Sequence, residues 1–154
     1  MTIYLVRHAS AGSRGHGASD RERPLDEHGL LQAKEIATRL SGRRVDRILS
    51  SPAVRCAQTV EPLASALGLD VELDEALWEG RELEPMLELL FAAAERSGDS
   101  VLCSHGDMIP WTIGTLRSAG MPTEGRKQGC AKGHFWELHV SSRRIERATY
   151  HRVE

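Results

Sequence analysis

The sequence predicts an α/β fold with three layers, in which a mainly parallel sheet carries helices on both faces. Short apolar segments of the kind that form buried strands alternate with longer segments whose apolar residues repeat at helical spacing. The chain has 154 residues, the length of one domain, so we expect a single domain over residues 1–154. Several predicted strands end in polar residues, and in a parallel sheet such ends meet at one edge, where ligands bind.

The first strand is predicted at residues 3–6, a short apolar run that ends at two polar residues. Residues 9–23 are rich in Gly, Ser, Arg and His and have no apolar periodicity, which indicates a long loop. Asp26 is a suitable N-cap for the first helix, which continues at helical apolar spacing to Gly42. The remaining predicted elements are strands at 45–49, 71–73 and 100–104, helices at 52–67, 84–96 and 108–120, and antiparallel strands at 133–140 and 144–151.

The overall composition argues against several classes of protein. The formal net charge is −2, so we expect no general attraction for nucleic acid or anionic lipid. No apolar segment is long enough to span a membrane, and the first residues lack the basic leader of a signal peptide. The three cysteines are too widely spaced for a disulfide framework or for paired metal ligands. We therefore expect a cytoplasmic protein.

Polar side chains with related chemistry follow three of the predicted strands. Arg7 and His8 come directly after the first strand. Ser51 follows the second strand, and Arg55 lies one turn into the next helix. His105 ends a third strand. Because the carboxyl ends of parallel strands lie at the same edge, we expect two histidines and two arginines around one crevice.

This combination of side chains suits a phosphoryl group. An arginine guanidinium presents a fixed fork of donors that matches phosphate oxygens, and helix N-termini add backbone donors. An imidazole can act as a nucleophile and carry a covalent intermediate. Phosphoryl transfer needs mainly positioning and neutralisation of charge. We therefore expect no metal and no other cofactor, since no carboxylate and histidine lie at metal-ligand spacing.

Two further groups of residues have more than one interpretation. Ser51 is suited to cap the helix that follows it, and it is also placed to bind the substrate phosphate. The loop arginines Arg14, Arg21 and Arg23 either lie in solvent, or one of them closes over the substrate. On the second interpretation Arg14 and Arg23 are the candidate substrate ligands. The sequence leaves these alternatives open.

Three segments at the predicted strand ends carry recognisable motifs. They are Leu-Val-Arg-His-Ala at residues 5–9, Ser-Ser-Pro-Ala-Val-Arg-Cys-Ala-Gln-Thr at 50–59 and Val-Leu-Cys-Ser-His-Gly at 101–106. In this order they resemble the Arg-His-Gly signature, the second arginine motif and the second histidine motif of the histidine phosphatase superfamily, also called phosphoglycerate mutase-like. Ala9 stands where Gly is commonest in the family. The chain is as short as members of the SixA-type branch, and its residues 23–33 resemble the corresponding segment of that branch. The branch is best known for acting on phosphohistidine in signalling proteins.

The resemblance implies a phosphoglycerate mutase-like fold and a defined set of roles. His8 attacks phosphorus in line and becomes phosphohistidine. Arg7, Arg55 and His105 hold the equatorial phosphate oxygens. An acid protonates the leaving group, and water then hydrolyses the intermediate.

The acid is less well defined by the resemblance. The family supplies it as a carboxylate from a middle loop, and Glu79 in the segment Leu-Trp-Glu-Gly at residues 77–80 matches that position best. Glu82, Asp74 and Asp107 remain alternatives. If the substrate is phosphohistidine, its imidazole is a good leaving group and a strong acid matters less.

Three function classes follow from these observations. The first is a metal-independent phosphatase acting on a phosphorylated small molecule or on a protein that bears phosphohistidine. The second is a phosphoglycerate mutase-type phosphotransferase, although this short chain has little room for the insertions that enclose the substrate in that branch. The third is a non-catalytic phosphate-binding regulatory module, which would not need the nucleophile His8.

Overall fold

The computed structural model describes residues 1–12 and 19–153, so the predicted role of Arg14 lies outside the described residues. The strands are β1 (Thr2–Arg7), β2 (Val45–Ser50), β3 (Val71–Leu73), β4 (Asp99–Ser104), β5 (Thr123–Glu124), β6 (Phe135–Ser141) and β7 (Arg144–His151). The α-helices are α1 (Glu27–Leu40), α2 (Val54–Leu67), α3 (Leu83–Glu95) and α4 (Met108–Ser118). Two short 3-10 turns lie at Asp20–Glu22 and Glu75–Leu77.

The seven strands form one sheet in the order β3-β2-β4-β1-β6-β7-β5. Strands β3, β2, β4 and β1 are parallel to one another, whereas β6 runs antiparallel to both β1 and β7. This arrangement confirms the predicted α/β class with a mainly parallel sheet and an antiparallel closing pair. The carboxyl ends of β2, β4 and β1, which carry the predicted site residues, lie side by side.

Side chains of β1 alternate between the two faces of the sheet, which explains how helices cover both. Ile3 and Leu5 belong to a core cluster that also contains apolar residues of α3 and α4. Tyr4 and Val6 belong to a second cluster, with apolar residues of α1 and α2. Because successive residues of a strand point to opposite faces, one fully buried strand contributes to both cores. The three-layer arrangement is thus confirmed.

The ends of the helices follow from specific residues. The Asp26 carboxylate accepts a hydrogen bond from the backbone N–H of Gly29, 2.8 Å away, and so caps α1 as predicted. Helix α2 ends at Leu67 and is capped by Gly68, whose φ of 68° lies in the left-handed region that favours glycine. It begins at Val54, two residues later than predicted, because Ala53 has an extended backbone.

Other details also differ from the sequence prediction, including β6, which begins at Phe135 rather than at residue 133. Helix α4 ends at Ser118 rather than at residue 120. Strand β5 was not predicted, since two residues that pair with Ala148 and Thr149 of β7 show no periodicity of their own. No helix within residues 1–12 and 19–153 is long and apolar enough to cross a lipid bilayer.

Candidate active site

The sheet brings the two predicted site histidines together. The backbone N–H of His8, just after β1, donates to the carbonyl oxygen of Ser104, the last residue of the neighbouring strand β4. This places His8 beside His105, and their ring centroids are 5.4 Å apart. Both side chains are buried, with 6% of His8 and 2% of His105 exposed. The predicted convergence of strand ends therefore produces one pocket.

The environment of His8 gives its imidazole the form that a nucleophile needs. Its Nδ1 lies 2.8 Å from the carbonyl oxygen of Ala9, which can only accept, so Nδ1 carries the hydrogen. The lone pair is therefore on Nε2. Burial lowers the pKa of His8 to about 3, and the positive charges of neighbouring groups, including Arg55 and Arg7, act in the same direction. His8 is thus uncharged at neutral pH.

Arg7 approaches the pocket along the loop that follows β4. Its Nη1 donates to the carbonyl oxygen of Cys130, 2.8 Å away. A Cβ atom added to Gly106 would lie 2.4 Å from the Arg7 Cζ, so only glycine allows the guanidinium to occupy this position. The Arg7 Nε is buried and has no hydrogen-bond acceptor among the described residues.

Arg55 is fully buried, and its guanidinium is held along one edge. Nη1 donates to the carbonyl oxygen of Asp20 at 2.7 Å, and Nη2 donates to the Asp20 carboxylate at 3.1 Å and to the Glu79 carboxylate. A buried cation is stable only when it is paired and hydrogen-bonded, and these carboxylates meet that need. The Arg55 Nε, like the Arg7 Nε, is buried without an acceptor in the described part of the chain.

His105 uses both ring nitrogens within the pocket. Nδ1 lies 3.3 Å from Nη2 of Arg55, and because a guanidinium only donates, Nδ1 accepts. Nε2 therefore carries the hydrogen and donates it to the Ser51 hydroxyl, 2.8 Å away. Ser51 is thus a partner of His105 and also accepts from the N–H of Ala53, but it does not occupy the N-cap position of α2.

Of the four carboxylates considered as the acid, Glu79 contacts the cluster of histidines and arginines. It pairs with Arg55 and lies 3.8 Å from Nδ1 of His105. The carboxylate of Asp74 accepts a hydrogen bond from the backbone N–H of Ala76. The carboxylate of Asp107 accepts from the backbone N–H groups of Met108 and Gly80. Glu82 is exposed before α3.

The two loop arginines in the described part of the chain, Arg21 and Arg23, each contact other residues of the protein. Arg23 donates to the Asp20 carboxylate at 3.2 Å and to the carbonyl oxygen of Gly12 at 2.6 Å. Arg21 pairs with Glu75 at 3.0 Å, and its guanidinium lies 5.0 Å from the ring centroid of Trp78. In the described residues Arg23 therefore bonds to Asp20 and the backbone, and its direct role toward phosphate stays a prediction.

Sequence reasoning missed three residues that shape this pocket. Asp20 holds Arg55, Gly106 makes room for Arg7, and the Cys56 Sγ lies 3.5 Å from Nε2 of His105. Asp20 lies in a loop without periodicity, so no sequence pattern assigns it a partner. Gly106 comes directly after a strand end. A glycine at such a position is the sequence feature that could have indicated that another side chain, here Arg7, packs against its backbone.

The described residues contain no group of three or more His, Cys, Asp or Glu side chains arranged to hold a metal ion. The donor set that does converge is two guanidinium groups with unsatisfied N–H bonds and two imidazoles. Arginine N–H groups bind oxyanions, so the pocket is suited to an anion such as phosphate.

The fold and pocket define an α/β protein with a histidine–arginine anion site at the carboxyl edge of its sheet. A family model described as the histidine phosphatase superfamily (branch 1) matches residues 3–88, more than half of the chain. The chain therefore belongs to the histidine phosphatase superfamily. The match includes Arg7, His8 and Arg55.

Individual relatives agree with this assignment. The 8-oxo-(d)GTP phosphatase of Mycolicibacterium smegmatis is 32% identical over 155 residues, which cover 97% of this chain and 47% of the relative. This chain thus spans about half the length of that relative. SixA from Agrobacterium tumefaciens is 27% identical with a TM-score of 0.68, over 89% of this chain and 90% of that one. A histidine phosphatase SixA complexed with tungstate has a TM-score of 0.77 at 21% identity, over 99% and 95% of the two chains, and shows the shared fold.

Proposed function

We propose that this chain is a metal-independent phosphatase that hydrolyses a phosphomonoester or a protein phosphohistidine through phosphohistidine on His8. The observation that carries the proposal is the pair of buried guanidinium Nε–H groups of Arg7 and Arg55, which lack acceptors among the described residues. A buried donor without a partner is costly, and a phosphate oxygen is the acceptor that satisfies it. Both donors lie in the pocket that contains His8.

In the first step the Nε2 lone pair of His8 attacks phosphorus. A P–N bond forms, the bond between phosphorus and the leaving group breaks, and its electron pair departs with the leaving group. His8 is suited to this attack because burial lowers its pKa to about 3 and keeps the imidazole uncharged. The Nδ1–H bond to the Ala9 carbonyl stabilises the positive charge that the ring gains.

In the second step water attacks phosphorus and passes a proton to Glu79, which gave one to the leaving group in the first step, while the P–N bond breaks and His8 recovers its lone pair. Arg7 and Arg55 neutralise the charge on the phosphoryl oxygens in both steps. His105 is held by Ser51 and Arg55, and we assign it to the same phosphoryl oxygens. Inorganic phosphate leaves, and no metal takes part.

We assign Glu79 as the acid that protonates the leaving group. Its carboxylate contacts Arg55 and approaches His105, whereas Asp74 and Asp107 are engaged as backbone caps. Protonation matters most for a leaving group that is a poor anion, such as an alkoxide. For phosphohistidine the leaving imidazole needs this proton less.

The substrate class is proposed from the relatives as well as from the pocket. The 8-oxo-(d)GTP phosphatase relative favours a phosphorylated small molecule, and SixA favours phosphohistidine in a protein.

Cys56, Cys103 and Cys130 are free thiols, which supports a reducing compartment such as the cytoplasm.

Hydrolysis of a panel that contains aryl phosphates, nucleotides, sugar phosphates and a phosphohistidine peptide tests the proposal. We expect the protein to release phosphate in the presence of a metal chelator, and the His8→Ala variant to be inactive. His28→Ala, which removes an exposed histidine of α1, serves as the matched control and should keep full activity. Equal inactivity of the wild type and His8→Ala across the panel would refute the proposal.

Rapid quenching of the reaction tests the intermediate itself. The wild type should carry phosphate that is stable in base and lost in acid, as expected for a P–N bond, and His8→Ala should carry none. A bisphosphoglycerate-dependent isomerisation in place of net phosphate release would instead identify a mutase.

The role of Glu79 is tested with aryl phosphates of graded leaving-group acidity. Glu79→Gln should slow the poor leaving groups by about 10²-fold or more and the good ones much less. Glu82→Gln removes a nearby exposed carboxylate and should leave both rates unchanged. If Glu79→Gln slows all substrates equally, or if only Glu82→Gln shows the selective loss, the assignment is wrong.

A further inference from the structure

Asp20 makes a two-point contact with the buried guanidinium of Arg55. Its carbonyl oxygen accepts from Nη1 at 2.7 Å, and its carboxylate accepts from Nη2 at 3.1 Å. The side chain of Arg55 is 1% exposed and that of Asp20 is 32% exposed, so Asp20 lies on the solvent side of this contact. Asp20 thereby binds both terminal nitrogens of Arg55.

Asp20 is itself held in place by its neighbours in the turn. The Nε of Arg23 donates to the second carboxylate oxygen of Asp20 at 3.2 Å, and Nη1 of Arg23 donates to the carbonyl oxygen of Gly12. Arg21 anchors the same turn through Glu75. A series of contacts thus runs from Arg23 through Asp20 to Arg55.

These contacts determine which donors of Arg55 remain for the substrate. Because Asp20 and Glu79 take Nη1 and Nη2, the guanidinium cannot rotate without breaking three hydrogen bonds. The Nε–H is then left in a fixed orientation without an acceptor among the described residues. A preorganised donor stabilises developing charge more strongly than one that must reorient during the reaction.

We infer that Asp20 is a positioning residue for phosphoryl transfer that acts through Arg55, and that Arg23 acts through Asp20 rather than on the phosphate. The inference rests on the proposed function and identifies a part of the site that the motifs do not contain. It also gives the turn at Asp20–Glu22 a function, which is to fix the orientation of Arg55.

The opposite role for Asp20 makes a different prediction. If its carboxylate occupied Arg55 in competition with phosphate, removing its charge would tighten phosphate binding and leave the turnover of bound substrate unharmed. A positioning role predicts that phosphate binds more weakly and that turnover falls. Inhibition by orthophosphate, together with kcat and KM for an aryl phosphate, distinguishes the two.

The test compares Asp20→Asn with the wild type and with Glu22→Gln. Glu22 lies in the same turn with an exposed side chain, so Glu22→Gln removes the same charge without touching Arg55. We expect Asp20→Asn to lower kcat/KM roughly tenfold and to raise the orthophosphate inhibition constant by a similar factor. Glu22→Gln should change neither, and Asp20→Glu should recover part of the loss.

Arg23→Gln and the double variant Asp20→Asn/Arg23→Gln test the route of the effect. Because Arg23 acts through Asp20, Arg23→Gln should show a smaller loss of the same kind, and the double variant should be no worse than Asp20→Asn. Additive losses would mean that Arg23 acts directly on phosphate and would overturn that half of the inference.

The remaining outcomes are separable from those for the proposed function. An active wild type with an equally active Asp20→Asn variant, or with tighter orthophosphate inhibition in that variant, would overturn the role of Asp20 alone. A wild type without activity on any phosphate ester or phosphohistidine would overturn the proposed function and this inference together. Thermal unfolding of each variant checks that a loss of activity is not a loss of folding.

Discussion

The low pKa of His8 links the stability of the fold to pH. Burial lowers this pKa from 6.5 to about 3, so the folded protein keeps His8 uncharged at a pH where the unfolded chain has protonated it. The unfolded state then binds more protons than the folded state, and acid favours unfolding. This loss begins as the pH falls through 6.5 and continues until about pH 3. Replacing His8 with Asn removes it.

The magnitude follows from the two pKa values. Each pH unit between them costs about 1.4 kcal/mol, because one proton is taken up on unfolding. From pH 7 to pH 5 the part below 6.5 accounts for about 2 kcal/mol. A loss of that size is a large fraction of the stability of a typical domain.

Urea unfolding at pH 7 and pH 5, at constant ionic strength and followed by tryptophan fluorescence, measures this linkage. Over this interval the free energy of unfolding should fall by about 2 kcal/mol less in His8→Asn than in the wild type. His28→Asn removes an exposed histidine and keeps His8, so it should follow the wild type. If His8→Asn and the wild type lose the same free energy, His8 is not held uncharged by burial and the reasoning fails.

Two glycines give further predictions, because a methyl group added at either one meets a specific atom. Gly106→Ala places its Cβ 2.4 Å from the Arg7 Cζ, so kcat/KM should fall at least about tenfold in a phosphatase assay with little change in thermal unfolding. Gly29→Ala places its Cβ 1.9 Å from the carbonyl oxygen of Ser10, and urea titration should show a loss of about 2 kcal/mol or more. Gly42→Ala, with no atom within 4 Å, is the control for both, and the reasoning is wrong if the three variants behave alike.

Much of the fold could be predicted because local patterns specify it. Apolar periodicity located the four helices and six of the strands, and Asp26 marked the start of α1 through a short-range hydrogen bond. The small differences, such as strand β5 and the first residue of α2, involve segments whose conformation depends on partners distant in sequence. Periodicity carries no information about such partners.

The residues of the pocket, like the elements of the fold, could be predicted from the sequence only in part. The proximity of four residues could be predicted from the sequence, namely Arg7, His8, Arg55 and His105. Parallel strands end at one edge of the sheet, and each of these residues follows such an end. The roles assigned to them by resemblance remain predictions, to be tested by the variants above. The family and the α/β fold that the motifs implied are confirmed.

Only the tertiary structure decided how these residues are held. It showed that Asp20 and Glu79 share Arg55, that Asp74 and Asp107 cap the backbone, and that Ser51 bonds to His105. A carboxylate finds its partner through the path of the loop that carries it and through the space left by the core, and neither leaves a pattern in the sequence. The residue types at the strand ends determined which chemistry is available, and the packing of the loops determined the orientation of each donor.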